Sequence, residues 1–221
     1  MMYNAVVNGA MSPSSRTIMA GFFSILYKCF KCGILRLRIV GDSVVVRCLF
    51  FLNSVRVGHH LSAIGVPSIN VSRGGRADIG DCFTIRTGVG CTEVGSGGSR
   101  IRVGPRGVLR IGNGVGMSNA TIVCDESVTI GDHVLIGGGA QLFDTNFHST
   151  DAAVRCSGRE SRKDVATAPV LIGNRVFIGS NVLICKGVTI GDEAMVAAGA
   201  VVVHDIPPGE VWGGNPAKRL R

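Results

Sequence analysis

The chain has 221 residues, of which 32 are glycine and only 5% are aromatic, and its formal net charge is +8. This length is enough for one domain with a substantial core. A composition rich in glycine and small or branched aliphatic residues favours a repetitive β architecture with many tight turns over a helical bundle.

The first part of the chain, residues 1–60, is irregular, apolar and basic. Its only acidic residue is Asp42. We expect this segment to be partly helical, with one or two helices around residues 18–56. The stretches "GFFSILY" and "VVVRCLFFL" are too short to span a bilayer, and the start "MMYNAVVNGAMSPSSR" lacks the pattern of a secretory signal. These features predict a cytosolic protein.

The basic charge of residues 1–60 has several interpretations. An anionic membrane surface, a phosphorylated ligand and a plain solvated face all remain open. Nucleic acid is not expected as a partner, because no aromatic platform or nucleic-acid-binding motif accompanies the charges.

A six-residue repeat organises residues 61–207. From Ile172 the chain reads "IGNRVF", "IGSNVL", "ICKGVT", "IGDEAM", "VAAGAV" and "VVHDIP", and the same period appears upstream at Ile111, Met117, Ile130 and Ile136. This period fits neither an amphipathic helix nor a hairpin ladder. It predicts a short strand and a turn, three to a triangular coil, with the first-position aliphatic side chains stacked inside. Glycine, asparagine and aspartate at the second and third positions are expected to turn the corners.

The repeat is interrupted once and then ends. A polar loop at about residues 145–170, "NFHSTDAAVRCSGRESRKDVATAPV", is too long to be a corner. Prolines halt the repeat before a basic tail at residues 208–221.

The eight cysteines predict no metal site. Cys29 and Cys32 form "CFKC", but no second pair or nearby histidine completes a zinc site. With no export signal, free thiols are expected, and Cys185 should be packed inside a repeat.

The hexads, the stretches "GMSNATIVCDESVTIGDHVLIG" and "DTNFHSTD", and the ending "VVVHDIPPGEVWGGNPAKRLR" resemble the hexapeptide-repeat acyltransferases over residues 63–221. The sugar O-acetyltransferases are most similar: the galactoside and maltose enzymes, and those of colanic acid, capsule and O-antigen biosynthesis. The resemblance implies a left-handed parallel β-helix, a homotrimer and acetyl-CoA as co-substrate. It also implies a sugar acceptor, either a small molecule or lipid-linked, in surface polysaccharide biosynthesis.

The resemblance also implies roles for individual residues. His148 matches the family's general base, Arg155 matches an arginine seven positions later and is expected to bind the acceptor, and Asn119 matches an acceptor-binding asparagine. The positions that match contacts to coenzyme A are Ser180, Ala198, Lys218 and Arg221. One departure is Phe177, where relatives usually have tryptophan, so an N–H donor is missing there.

The residues themselves also point to His148. Acyl transfer to a hydroxyl needs a base, and an imidazole near its ordinary pKa suits that task. No serine or cysteine lies in a recognisable nucleophile motif, which favours direct transfer. The other histidines have milder explanations: His59 and His60 lie in the basic segment, and His133 and His204 lie in repeats. Asp144 and Asn146 are expected to orient the imidazole or to bind the acceptor.

Other functions were weighed against this one. A zinc-dependent carbonic anhydrase of the same fold needs three converging histidines, and the loop supplies only His148. A non-catalytic scaffold or binding module, and acyl transfer to an amino sugar nitrogen, remain alternatives. If the acceptor is lipid-linked, residues 1–60 are expected to touch the inner face of the cell membrane.

Overall fold

The structure is a computed structural model that describes residues 13–88 and 97–221, with side chains described from residue 23 onward. The predicted start of the basic segment, residues 1–12, and Cys91 lie outside the described residues. The chain divides into two compact units, Met1–Ile39 and Val40–Arg221. This division precedes the boundary that the composition suggested at residue 60, because the end of the first helix already belongs to the second unit.

The first helix, α1, spans Pro13–Leu52. Proline suits the first helical position, where its missing N–H has no intrahelical acceptor. In the first unit, the described side chains from residue 23 to residue 38 are all exposed. No helix among the described residues is long and apolar enough to cross a membrane.

The last turns of α1, in the second unit, close the open end of the β structure. Val46 and Phe50 are fully buried in its core. The Ser43 hydroxyl accepts a hydrogen bond from the Ala63 N–H at 2.9 Å, and the Asp42 carboxylate accepts one from the Gly65 N–H at 2.7 Å. These side chains therefore satisfy strand-edge donors that would otherwise be unpaired.

The strands before the extruded loop are β1 (Arg56–Val57), β2 (Ser62–Ile64), β3 (Ser68–Val71), β4 (Arg76–Ile79), β5 (Thr84–Arg86), β6 (Arg100–Val103), β7 (Val108–Ile111), β8 (Gly116–Ser118), β9 (Thr121–Cys124), β10 (Ser127–Ile130), β11 (Leu135–Ile136) and β12 (Gln141–Phe143). A short helix, α2 (Ala152–Cys156), lies in the loop. The strands after it are β13 (Val170–Ile172), β14 (Phe177–Ile178), β15 (Leu183–Ile184), β16 (Thr189–Ile190), β17 (Met195–Val196), β18 (Val201–Val202), β19 (Val211–Gly213) and β20 (Lys218–Arg219).

Successive strands go in turn to three sheets. Sheet 1 has the order β1-β4-β7-β10-β13-β16, sheet 2 has β2-β5-β8-β11-β14-β17-β19-β20, and sheet 3 has β3-β6-β9-β12-β15-β18. All pairings between these strands are parallel except that of β19 with β20. Three hexads therefore make one coil, as the six-residue period predicted.

The first-position aliphatic residues stack in register inside the coils. Along sheet 1 each is no more than 5% exposed: Ile79, Ile111, Ile130, Ile172 and Ile190. Equivalent columns run inside sheets 2 and 3, where Ile178 and Ile184 are fully buried. These columns confirm the predicted parallel β-helix.

In the hexads from Ile172 to Val201 the corner turns span the third and fourth residues, whereas we expected them at the second and third. The left-handed conformation falls on the fourth residue: Arg175, Asn181 and Glu193 have φ values of 56°, 56° and 61°. The second-position glycine meets a different requirement: a Cβ on Gly173 would lie 2.7 Å from the backbone nitrogen of Asp192 in the next coil. Glycine is needed there because the coils approach closely.

Third-position side chains form a ladder along one corner. Asn174 Oδ1 accepts a hydrogen bond from the Asp132 N–H at 2.9 Å, and Asp192 Oδ1 accepts one from the Asn174 N–H at 2.7 Å. Asp132 in turn accepts one from the Asn113 N–H at 2.6 Å. The asparagines and aspartates therefore link one coil to the next by satisfying backbone donors at the turn.

Candidate functional site

The extruded loop leaves sheet 3 after β12 and returns to sheet 1 at β13. A short antiparallel bridge between Thr145 and Thr167 closes its neck. The Asn146 N–H donates to the Ala166 carbonyl at 3.0 Å, and the Ala168 N–H donates to the Asp144 carbonyl at 3.0 Å. The polar interruption in the sequence is thus a loop whose two ends are hydrogen-bonded to each other and continue into strands of the β-helix.

Asp144 anchors this neck from inside the protein. Its side chain is fully buried, and its carboxylate accepts hydrogen bonds from the Asp125 and Glu126 N–H groups, each at 2.7 Å. Burial raises the pKa of Asp144, against the opposite effect of these N–H donors. Burial, followed by the nearby Asp144 charge, raises the pKa of the Cys124 thiol to about 12, so this cysteine is a poor nucleophile. Both carboxylate oxygens of Asp144 therefore accept hydrogen bonds from backbone N–H groups. The structure does not show the predicted contact between Asp144 and the His148 imidazole.

His148 follows the neck directly. Its ring nitrogen Nδ1 lies 2.9 Å from Glu160 Oε2, and the Ser149 N–H donates to Glu160 Oε1. The Glu160 side chain is 19% exposed, whereas that of His148 is 70% exposed. The hydrogen bond to His148, and then that from Ser149, hold the pKa of Glu160 below its ordinary value. An ionised partner at Nδ1 assigns the ring proton to that nitrogen and leaves Nε2 as the acceptor.

The loop residues around His148 are held by further polar contacts. Asp151 caps α2 by accepting a hydrogen bond from the Ala153 N–H at 2.8 Å. Arg155, near the end of α2, donates to the Ser149 carbonyl at 2.6 Å. Arg155, which was expected to bind the acceptor, therefore holds the backbone next to His148. The Asn146 side chain is exposed at the start of the loop.

His148 forms part of the wall of a cavity of about 340 Å³. Residues from β6, from the turn after it and from both sides of the loop line this cavity: Arg102, Pro105, Arg106, Asp125, Thr145, Phe147, His148, Arg162, Val165 and Thr167. Phe147 also lines a second cavity, which contains Asn119, Arg100 and Gln141. Asn119 is buried, and its Oδ1 accepts a hydrogen bond from the Gly88 N–H at 2.8 Å. The predicted base and the predicted acceptor-binding asparagine thus lie on cavities that share one wall.

Two kinds of sequence comparison relate this chain to known proteins. A family model described as bacterial transferase hexapeptide (six repeats) matches residues 169–204. The galactoside O-acetyltransferase of Escherichia coli (strain K12) is 44% identical over 103 residues, which make up 47% of this chain and 48% of the relative. A tetrahydropyridine-dicarboxylate N-acetyltransferase of Staphylococcus aureus (strain JH9) is 46% identical over 56 residues, or 25% of this chain and 23% of the relative.

A solved structure agrees with these sequence matches. Galactoside acetyltransferase in complex with coenzyme A superposes with a TM-score of 0.50 and 31% identity, covering 78% of this chain and 66% of that chain. The chain thus carries the hexapeptide repeats of bacterial transferases and is homologous to the galactoside O-acetyltransferase over 103 residues. Its fold is the left-handed parallel β-helix of these acetyltransferases. The match spans about half the length, or less, of these two curated relatives.

The four positions that resemble coenzyme A contacts gather at the C-terminal end of the β-helix. Ser180 and Ala198 occupy the same corner in successive coils, since the Ser180 carbonyl accepts a hydrogen bond from the Gly199 N–H at 2.8 Å. Lys218 lies in β20, which pairs with β19 at the edge of sheet 2, and Arg221 follows it. Both cationic side chains are exposed. Within the described part of the chain, the cavity beside His148 is lined by none of these four residues.

The structure also describes Phe177, the cysteines and the possible metal ligands. Phe177 lies on the outer face of β14 and is 43% exposed. Every cysteine in the described ranges is a free thiol. Across residues 13–88 and 97–221, no three histidine, cysteine, aspartate or glutamate side chains converge as a metal site would require.

Sequence reasoning missed Glu160, the residue that contacts His148. The loop contains three other acidic or amide candidates near the histidine, and Glu160 is twelve positions away from it in a segment without any period. An acidic residue in the same loop was the only available signal. The fold of the loop brings the two residues together.

The Glu160–His148 contact predicts a carboxyl titration that depends on the imidazole. The pKa of Glu160 is lowered in the folded state, so its contacts stabilise the protein above the unfolded pKa of about 4.3 and are lost as pH falls through the folded pKa. In a His148→Ala variant we expect the Glu160 midpoint, measured by carboxyl carbon NMR, to move upward.

Asp164 provides an internal control for this titration. Its pKa is also lowered, but by hydrogen bonds from Ser161, so its midpoint should be the same in both proteins. An unchanged Glu160 midpoint in His148→Ala would show that the pair does not exist in solution.

Proposed function

We propose that this protein is an acetyltransferase that moves the acetyl group of acetyl-CoA to a sugar hydroxyl, in the assembly of a surface polysaccharide. The observation that carries the proposal is that His148 lines a cavity and contacts Glu160, in a chain with the hexapeptide repeats of bacterial transferases. The similar galactoside acetyltransferase structure is a complex with coenzyme A, which supports the choice of acetyl donor. The O-acetyltransferase relative supports a hydroxyl acceptor.

The proposed mechanism is a direct transfer. His148 Nε2 accepts the proton of the acceptor hydroxyl while its oxygen attacks the thioester carbonyl of acetyl-CoA. The tetrahedral intermediate then collapses with cleavage of the carbon–sulfur bond, and the imidazolium returns the proton to the departing thiolate. Glu160 stabilises the imidazolium and keeps the ring oriented, as the carboxylate does in a serine hydrolase triad. The products are the acetyl ester and free coenzyme A.

Coenzyme A has a proposed binding surface at the C-terminal end of the β-helix. The small residues Ser180 and Ala198 leave room along one corner, and Lys218 and Arg221 present exposed cations beside it. Ammonium and guanidinium groups bind phosphates through charge-assisted hydrogen bonds. This chemistry suits the phosphates of coenzyme A.

The base assignment predicts a large loss of turnover in His148→Ala. Removal of a general base lowers kcat by roughly 10²–10⁴-fold, and thiol release from acetyl-CoA with a panel of sugars and amino sugars measures this. Glu160→Gln should lower kcat by less and leave the KM of both substrates nearly unchanged, because the ring remains but loses its charged partner.

The matched control is His133→Asn, a second exposed histidine at a coil corner with φ 56°. Asparagine tolerates this backbone conformation, so turnover should equal that of the wild type. Equal turnover of wild type and His148→Ala would refute the mechanism, and thiol release with amino sugars alone would reassign the acceptor atom to nitrogen.

The proposed assembly is a homotrimer formed through sheet 2. On its outer face Leu135, Phe177 and Met195 lie side by side in register and are 54%, 43% and 42% exposed. A row of large apolar side chains on a flat face is typical of an interface between subunits. A cleft between neighbouring β-helices would also enclose two substrates better than one open face does.

The trimer proposal predicts that Phe177→Ser with Met195→Ser weakens association. Light scattering should report three times the mass of one chain for the wild type and a lower mass for the double variant. Val203→Ser is the control, because Val203 is similarly exposed, at 41%, but follows a strand of sheet 3. A wild-type protein of single-chain mass at micromolar concentration would contradict the proposal.

The proposed location is the cytoplasmic face of the membrane, reached through α1. In the first unit, α1 exposes Phe23, Tyr27 and Phe30, with side chains 59%, 59% and 66% exposed, next to the exposed cations Lys28 and Lys31. Apolar and basic side chains together suit the boundary between anionic headgroups and acyl chains. Such contact would bring the enzyme to a lipid-linked acceptor.

Liposome sedimentation of the full-length chain tests the membrane contact. Lys28→Gln with Lys31→Gln should weaken binding to anionic vesicles by roughly 2 kcal/mol, or about 30-fold, since each cation near such a surface contributes about 1 kcal/mol. The control, Arg73→Gln with Arg110→Gln, removes the same charge from the β-helix. Equal losses in the two variants would indicate nonspecific attraction and end the proposal.

A further inference from the structure

The cavity beside His148 has more positive charge than a neutral sugar requires. Three arginine side chains line it, Arg102, Arg106 and Arg162, against one carboxylate, that of Asp125. Arg102 and Asp125 compensate each other, since Arg102 Nη2 lies 2.9 Å from Asp125 Oδ2. Two guanidinium groups remain in the wall of the cavity.

Neither of these two arginines forms a close ion pair. Among the described residues, no carboxylate oxygen lies within 4.0 Å of the Arg106 or Arg162 guanidinium nitrogens. Glu126 lines an adjoining cavity together with Arg106, but it does not come within that distance. Asp144 lies behind the same wall, and its charge is taken up by backbone N–H groups.

The two arginines come from different parts of the chain and line the same cavity. Arg106 lies in the turn between β6 and β7, and Arg162 lies in the extruded loop. Gly104, in the same turn, has its open Cβ position 3.4 Å from Arg162 Nη1, so the loop arginine lies over this turn. Like charges brought together repel each other, and an arrangement of this kind is stabilised when an anion binds between them.

We propose that the acceptor is an anionic sugar, whose carboxylate or phosphate group binds Arg106 and Arg162 while its hydroxyl faces His148. The planar guanidinium matches both anions through paired, charge-assisted hydrogen bonds, which are stronger than its hydrogen bonds to the neutral hydroxyls of a sugar. The inference rests on the proposed function for the identity of the reacting group. It adds the chemical class of the acceptor.

The phosphates of coenzyme A have the same chemistry and are the other source of an anion. The acceptor is favoured because the four positions that resemble coenzyme A contacts lie at the C-terminal end of the β-helix, outside this cavity. Kinetics separate the two sources, since an arginine that binds the donor changes the KM for acetyl-CoA.

The experiment compares three acceptors at fixed ionic strength: methyl glucoside, methyl glucuronoside and methyl glucoside 6-phosphate. We expect kcat/KM for at least one anionic acceptor to exceed that of the neutral glucoside by about tenfold or more, the range of one charge-assisted hydrogen bond. In Arg106→Gln with Arg162→Gln this ratio should fall to about one, with the KM for acetyl-CoA unchanged. The carboxylate and phosphate arms show which anion is preferred.

Arg110→Gln is the matched control, because Arg110 is an exposed arginine of β7 that does not line the cavity. It should keep the wild-type ratio. A ratio near one in the wild type, or a ratio that survives the double substitution, overturns the inference. A raised KM for acetyl-CoA in the double variant also overturns it, and assigns the arginines to the donor.

Calorimetric binding of the three sugars without acetyl-CoA separates this inference from the proposed function. If no sugar releases thiol, the proposed function fails, and the calorimetry still decides the inference. Tighter binding of an anionic sugar that is lost in the double variant supports it, and equal or absent binding of the anionic and neutral sugars overturns it.

Discussion

The stacking of one aliphatic side chain per sheet in every coil is the interaction on which the rest of the structure depends. Ile111, Ile130, Ile172 and Ile190 bury themselves against one another along sheet 1, and the parallel strands that carry them pair in the same register. Each burial removes a whole side chain from water and stabilises the fold by about 1.5–3 kcal/mol. Each coil contacts only its neighbours, and the contributions of the successive coils add up to a rigid column. A loop can leave this column without disturbing the core.

The loop uses that rigidity to place polar groups. Asp144 is the last residue before the chain leaves the column, and burial of its carboxylate against the Asp125 and Glu126 N–H groups fixes the direction of the neck. A buried carboxylate without such donors would be costly, so the neck has little freedom to move. Arg155 and Glu160 then hold the backbone at Ser149 from two sides. His148 is exposed, but its own contact with Glu160 and the two contacts of Ser149 restrict where its imidazole can lie.

The same architecture accounts for the division of labour along the molecule. Chemistry is proposed at the loop, coenzyme A at the C-terminal corner, and the membrane at α1. The loop and α1 depart from the hexad period, whereas Ser180 and Ala198 lie within it and Lys218 and Arg221 follow it. Within the second unit, Val46 and Phe50 of α1 complete the core of the first coil.

The sequence by itself determined the parallel β-helix and the position of the extruded loop, because a six-residue period and its single interruption are local patterns that one chain displays directly. The interruption and the family resemblance also singled out His148 and Asn119 as candidates, and these two residues line adjoining cavities. The sequence assigned the corners to the second and third positions of each hexad, whereas the fourth residue takes the left-handed conformation and the third serves the ladder between coils. Only the tertiary structure decided that Glu160 contacts His148, that Asp144 holds the neck, and that Arg106 and Arg162 share a cavity with His148. The sequence separations between these residues do not follow the six-residue period. The contacts exist because the loop folds back over a turn from an earlier coil.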